Sequence, residues 1–287
     1  MLHGWLIGNG FMKSAAFERL YAALETAASA CGVLLTRRYN DEFCPFSGAL
    51  FSDAPDFVLF WDKDVRLARQ MEKQGLHLFN SAESIALCDD KTLTYLALQG
   101  AVPMPETILA PLTFTDYGAG DFLDRVAERL SYPYVMKEGL GSFGQQVYLI
   151  HEKNEVLTLL NQIGEKPVLF QKFIRESAGR DVRVYVVGGR CAAAMERRSL
   201  TGDFRANIGG GGTAFSHRLT AEEERIALLS AKRLGLTFGG VDLLMSENGP
   251  LLCEVNSNAH FAALSALTGV NPAINILEEV KRQCAAH

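Results

Sequence analysis

The sequence predicts a small α/β domain followed by a larger α+β region. Three observations carry that expectation. In the first part, short apolar runs alternate with helical stripes, the rhythm of parallel βαβ units. Beyond residue 88, strands come in pairs across short turns, as antiparallel hairpins do. Helices are interleaved among those hairpins instead of following every strand. A chain of 287 residues is long enough for two compact units.

"GWLIGNG" opens as a strand and a tight turn. Its glycines lack the third member of a dinucleotide-binding fingerprint, so that signal is weak. "SAAFERLYAALETAASACG" follows, with Phe17, Leu20, Leu24, Ala27 and Cys31 on one helical stripe and Gly32 as its stop. "DFVLFW" reads as a second strand, "DVRLARQMEKQG" as a second helix, and "LHLFN" as a third strand. A linker helix is expected over 81–99, stopping at Gly100. "VPMPETI" is extended, because each proline disfavours helix in its predecessor. The expected boundary lies near 88, giving a 1–88 domain and an 89–287 domain. Beyond it, "YVMKEG" pairs with "QQVYLI", "DVRVYVV" with "RCAAAM" across Gly188-Gly189, and "GVDLLM" with "PLLCEV". "TAEEERIALLSAKRLG" opens with Thr220 and Glu223 as a capping box and ends at Gly235.

Composition excludes several classes. Hydrophobic residues make up 48% and charged residues 21%, which fits a globular chain and not a disordered one. The apolar runs are too short to span a bilayer, so no membrane partner is expected. Net charge is −5 without a long basic run, so no nucleic-acid partner is expected. "MLHGWLIGNG" shows no basic n-region or cleavage site, and a cytoplasmic location is expected. The six cysteines are scattered, which points to free thiols and supplies no catalytic-cysteine signature. Oligomeric state is unreadable, and a homo-oligomer is compatible with everything here.

The chemistry concentrates in the second part. In "PLLCEVNSN" a strand pattern places Leu252, Glu254 and Asn256 on one face, with Cys253 and Val255 on the other. The preceding strand carries Asp242. A hairpin centred on Asn248 sets Asp242 opposite Glu254. Opposed carboxylates repel, and a hard cation between them reverses that penalty. Asp, Glu and Asn oxygens are ligands that magnesium takes together with phosphates. Solvent-facing carboxylates on an edge hairpin are the bland alternative. "VMKEGLGSFGQQVYL" places Lys137 before Gly141, Ser142 and Gly144 between two strands. That is a glycine flap suited to a polyphosphate, or else a plain turn. Asp181 and Arg183 share a strand face. Arg197, Arg198, Arg205 and Asn207 precede four glycines, at 209–212, in an arginine-rich segment suited to an anion.

Together "DDK", "DVRVYVVG", "GDFRAN", "GVDLL" and "EVNSN" resemble the ATP-grasp superfamily, in particular its RimK-like carboxylate–amine ligases. The resemblance covers about two-thirds of the chain. It implies an ATP-grasp fold of two subdomains clasping ATP, hinged near 171–176, after a pre-ATP-grasp α/β domain. By resemblance, Lys91 and Lys137 contact phosphates, Gln171 and Lys172 hold adenine, and Asp181 binds ribose. Arg183 and Arg197, with Lys137, stabilise the transferred phosphate, and Arg205 and Asn207 line the nucleotide. Asp242, Glu254 and Asn256 hold Mg2+, two ions with Mn2+ an alternative. The implied reaction phosphorylates a carboxylate substrate and joins it to an amine substrate, a small amino acid or peptide. A phosphotransferase and a non-catalytic nucleotide-binding module are the alternatives. Two stretches depart from the family pattern. "IGGGG" stands where a His-Arg pair is common, and Ala259-His260-Phe261 stands where Pro-Gly is common. Ligation to a ribosomal protein therefore does not carry over. His260 reads either as an acceptor contact or as a capping or packing histidine.

Overall fold

Strand β1 (His3–Gly8) is followed by helix α1 (Ala15–Ala30), strand β2 (Leu34–Tyr39), strand β3 (Phe57–Phe60), helix α2 (Val65–Lys73) and strand β4 (Leu78–Phe79). The computed structural model describes residues 1–43, 54–113, 117–142, 144–206 and 212–286. The four strands form a parallel sheet in the order β2-β1-β3-β4. Ser14 caps α1 by accepting from the Phe17 amide, and Leu20, Leu24 and Ala27 of the expected stripe are buried. Gly32 ends the turn with φ +69, a left-handed conformation that glycine adopts without strain.

Strand β2 was absent from the expected set, which had three strands here. Its sequence, "LLTRRY", is polar because it is a sheet edge and only partly buried. Arg37 fastens it to α1, pairing with Glu18 at 2.6 Å and Glu25 at 2.7 Å. The linker helix also divides, into α3 (Ala82–Asp89) and α4 (Lys91–Leu98). Asp90 between them has a non-helical φ/ψ of −97°/110°, and its carboxylate accepts from the amides of Thr92 and Leu93. The break puts Lys91 at a helix N-terminus.

Strand β5 (Thr107–Leu109), helix α5 (Phe122–Leu130), strands β6 (Tyr134–Glu138) and β7 (Val147–Ile150), helix α6 (Lys153–Ile163) and strand β8 (Val168–Lys172) come next. The strands make an antiparallel sheet, β5-β8-β6-β7, with α5 and α6 packed on Tyr134, Met136 and Phe170. A second antiparallel sheet, β11-β10-β9-β12-β13, is built from β9 (Arg180–Val187), β10 (Arg190–Ser199), β11 (Gly212–Ser216), β12 (Phe238–Ser246) and β13 (Gly249–Asn256). Helix α7 (Ala221–Arg233), capped by the Thr220/Glu223 box, covers one face through Ile226 and Ala227 against Val184 and Val241. Helices α8 (Ala262–Thr268) and α9 (Pro272–Cys284) pack with α1 on the other face, where Tyr185 and Phe238 meet Trp61 and Phe261. The parallel sheet thus shares a core with the five-stranded one. Asn80, fully buried after β4, donates to the carbonyls of Phe238 (2.9 Å) and Ser257 (3.1 Å) and accepts from the Thr237 amide (2.8 Å). Among the described residues no helix is long and apolar enough to cross a membrane, and the described cysteines are unpaired with one another.

Candidate active site

The β12–β13 hairpin closes with Ser246 opposite Gly249, so its turn is Glu247-Asn248. An even turn alone would put Asp242 and Glu254 out of register. A bulge at Cys253 restores it: Asp242 faces Glu254 while Leu243 faces Leu252. The expected opposition of the two carboxylates therefore holds. The expected alternation does not, because the bulge lets both Leu252 and Val255 enter the core. Cys253, Glu254 and Asn256 are left on the cavity side together.

The adjacent strands add the arginines. Asp242 stands opposite Arg183 of β9, and Asp181 of β9 opposite Arg197 of β10. Arg183 clasps Asp242 through two bonds, of 2.7 and 2.6 Å. Arg197 does the same to Asp181, at 2.7 and 2.6 Å, and reaches Asp242 Oδ2 at 2.9 Å. Asp181, Arg197 and Asp242 are each more than nine-tenths buried. Burial pushes the Asp242 carboxyl up, but the Arg183 and Arg197 charges outweigh it and hold it below the ordinary carboxylate range. Asp181, which shares Arg197 with Asp242, is pushed up by burial and by the Asp242 charge. Both Asp181 oxygens are engaged by Arg197, so the contacts make it the arginine's holder, and the residue also lines the cavity. Two carboxylates balance two guanidiniums, so the net positive potential falls to the lysines.

Lys137, buried on β6, brings its Nζ to 3.7 Å from Cys253 Sγ and so sets the small sheet against the hairpin. Lys91 begins α4 and donates to the Gly141 carbonyl at 3.4 Å. Burial lowers its pKa, Glu254 works against that, and the Lys137 charge reinforces it. Gly141, Ser142 and Gly144 lie in the β6–β7 loop, where Gly144 has φ +71 and the Ser142 amide donates to Gln146. Arg205 holds that loop by donating to the Gly144 carbonyl at 2.6 Å, while Asp203 steadies the same guanidinium. Gln171, buried near the end of β8, donates to the Thr107 hydroxyl at 3.0 Å, and Lys172 beside it is exposed. Asn207 and glycines 209–211 lie outside the described residues. His260 faces the Phe17 ring edge-on at 4.7 Å, and burial, then the Arg183 charge, lowers its pKa.

These groups line a cavity of about 570 Å³ between the two antiparallel sheets, and a smaller pocket beside it adds Lys91. Sequence reasoning missed its far wall, made by Asn9, Asp62, Lys63 and Asn258. A signal was available: Asn9 and Asp62 follow the carboxyl ends of parallel strands, where open sheets bind ligands. Glu254 offers hard oxygens for a metal. Those of Asp242 already accept from Arg183 and Arg197 and would reach an ion only through a remaining lone pair, and Asn256 donates its Nδ2 to Glu254 at 2.8 Å, which leaves Oδ1 as an acceptor. Among the described residues no cluster of three or more His, Cys, Asp or Glu side chains could hold an ion alone. The set fits magnesium, which completes its shell from phosphates and water.

A nucleotide-sized cavity held between two antiparallel sheets, with lysines on one and a carboxylate–arginine row on the other, defines an ATP-grasp fold. Solved structures agree. The RimK domain protein ATP-grasp of Sphaerobacter thermophilus DSM 20745 superposes with TM-score 0.73 at 22% identity, over 96% of this chain and 98% of that one. The D-alanine–D-alanine ligase of Bacillus anthracis, complexed with ATP, gives 0.75 at 16% identity, over 100% and 98%. Within that class, the chain belongs to the RimK-like ATP-grasp family, whose model matches residues 88–280. It is 37% identical to human N-acetylaspartylglutamate synthase A over 70% of this chain and 51% of that protein. Human beta-citrylglutamate synthase B is 36% identical over 80% and 62%. A probable alpha-L-glutamate ligase of Legionella pneumophila (strain Corby) is 34% identical over 75% and 70%. The chain thus spans only part of the length of the two human relatives.

Proposed function

We propose that the protein is an ATP-dependent carboxylate–amine ligase that forms an amide through an acyl phosphate. Glutamate, which the names of these relatives share, is proposed as one of its substrates. The observation that carries the reading is that Lys137 shares one cavity with Arg183, Asp242, Glu254 and Asn256, with Lys91 in the adjoining pocket. A carboxylate is a poor electrophile, and phosphorylation gives it a leaving group. The chain's task is then to align the two reactants and to neutralise charge around the transferred phosphate.

Lys137 and Lys91 bind phosphate oxygens from the small sheet, and Arg183 meets the transferred group from the five-stranded sheet. Arg197 is the buried prop that fixes Asp242 and Asp181. Gln171 and Lys172 close on the adenine at the hinge, while Gly141, Ser142 and Gly144 cover the phosphates and exclude water. Arg205 pins that cover, and Asn207 is assigned to the same nucleotide wall. Asp242, Glu254 and Asn256 would hold magnesium, two ions in this reading, with manganese as a substitute. A metal held there would supply charge neutralisation for the phosphates. The reading keeps a 1–88 unit beside an 89–287 ATP-grasp unit.

The test is an ADP-release screen over carboxylates, including N-acetylaspartate and citrate, crossed with amines including glutamate, with mass spectrometry of the products. ADP release that requires both substrates and yields an amide supports the ligase. A stable phosphorylated acceptor supports a phosphotransferase instead, and tight ATP binding without turnover a regulatory module.

A further inference from the structure

The far wall of the cavity holds two buried acceptors with no formed hydrogen bond among the described residues. Asp62 follows β3 and is only 6% exposed. Its Oδ1 accepts the amides of Lys63 (2.5 Å) and Asp64 (2.9 Å). Its Oδ2 has no formed hydrogen bond among the described residues, although the Asn9 side chain lies close enough to favour the charged carboxylate. Asn258 follows β13 and donates Nδ2 to the Asp62 carbonyl at 2.8 Å. That bond fixes the amide's orientation and leaves Asn258 Oδ1 buried without a donor. Both side chains line the large cavity.

A buried acceptor without a donor is costly, and native folds rarely keep two in one place without a use. Here the two come from different sheets, so packing of one element does not explain them. The nearby cation is committed elsewhere, since Lys63 pairs with Asp89. Trp61, Phe17 and Ala263 add apolar surface beside them, which strengthens a charge interaction formed there.

We infer that Asp62 and Asn258 form the seat for the ammonium group of an amino-acid substrate, which passes a proton to the Asp62 carboxylate before its nitrogen attacks the acyl phosphate. An ammonium supplies three donors and a positive charge. One group therefore satisfies both acceptors and neutralises the carboxylate. Burial by itself pushes the Asp62 pKa up, and a cation set against it reverses that push. This assignment rests on the ligase reading above for the reaction, but the seat itself can be tested by binding alone.

The probes are glutamate and glutarate, the same dicarboxylate without the nitrogen. Each is titrated calorimetrically into the full chain with magnesium and a non-hydrolysable ATP analogue. Wild type should bind glutamate at least about tenfold more tightly than glutarate, the size expected of a hydrogen-bonded charge pair. Asp62→Asn keeps the Oδ1 acceptor for the local turn and should erase that preference, and Asn258→Leu should weaken it. Wild type binding the two equally, or neither, overturns the proposal, as does an undiminished preference in Asp62→Asn. A second arm uses hydroxylamine, which is mostly uncharged at neutral pH, to trap the activated carboxylate as a hydroxamate. Asp62→Asn should lose at least about tenfold in glutamate amide formation while hydroxamate formation falls far less. An equal loss in both would make Asp62 a structural or first-step residue and overturn the proposal. Wild type that makes no hydroxamate from any carboxylate refutes the ligase reading, and the titration still decides the seat.

Discussion

Arg197 and Arg183 look alike in the sequence and do different work. Arg197 is 4% exposed and carries the charges of both Asp181 and Asp242. Arg197→Met should therefore cost about 3–5 kcal/mol of stability, the usual effect of leaving buried carboxylates unpaired. A urea midpoint shifted by much less would mean that the carboxylates find other partners. Arg183 is only partly buried, so Arg183→Lys should fold normally and lose turnover. For Glu254→Gln the shape is kept while the proposed magnesium ligand becomes neutral. Turnover should drop at least about a hundredfold at ordinary magnesium, with the melting temperature nearly unchanged. Wild-type rates in that variant would remove Glu254 from the phosphate site. The residue types of this row were legible because Asp242, Glu254 and Asn256 interrupt apolar strands. The partnership of Asp181 with Arg197 was not legible, since register across two strands decides which arginine meets which carboxylate.

At the scale of elements, hairpins and capped helices could be read directly. The Thr220/Glu223 box starts α7 where the pattern placed it, and the three expected hairpins form. Two features escaped. Strand β2 has no apolar run because it is an edge held by Arg37 ion pairs, a tertiary cause that no local pattern reports. The Cys253 bulge breaks a period-2 reading, and only the match of a two-residue turn to two opposed carboxylates hints at it. The β6–β7 loop gives the element-scale prediction. Gly144 has φ +71, where a β-branched residue costs about 1–3 kcal/mol, and its carbonyl is the anchor for Arg205. Gly144→Val should weaken ATP binding about tenfold or more while global stability changes little, because the strain is confined to a local loop. A collapsed melting temperature with unchanged ATP affinity would make this glycine a structural turn only.

Over the whole molecule, the parallel sheet and the five-stranded sheet act as one platform, because Asn80 stitches them and a common core joins them. Asn80→Ala leaves the Thr237 amide and the Phe238 and Ser257 carbonyls buried without that partner. Stability should fall by at least about 2 kcal/mol, and amine-substrate binding should suffer more than ATP binding, since the far wall depends on this joint. An unchanged denaturation curve would contradict that coupling. The platform matters because it brings the Asp62 wall and the carboxylate–arginine row into one cavity. Central to the proposed function is the activation of a carboxylate there as an acyl phosphate. It is tested most directly with a carboxylate substrate carrying heavy oxygen in the reacting carboxyl group. When the amine displaces phosphate, the bridging oxygen leaves with phosphorus. Inorganic phosphate should then carry one labelled oxygen, formed in step with the amide. Unlabelled phosphate accompanying true amide product would contradict it.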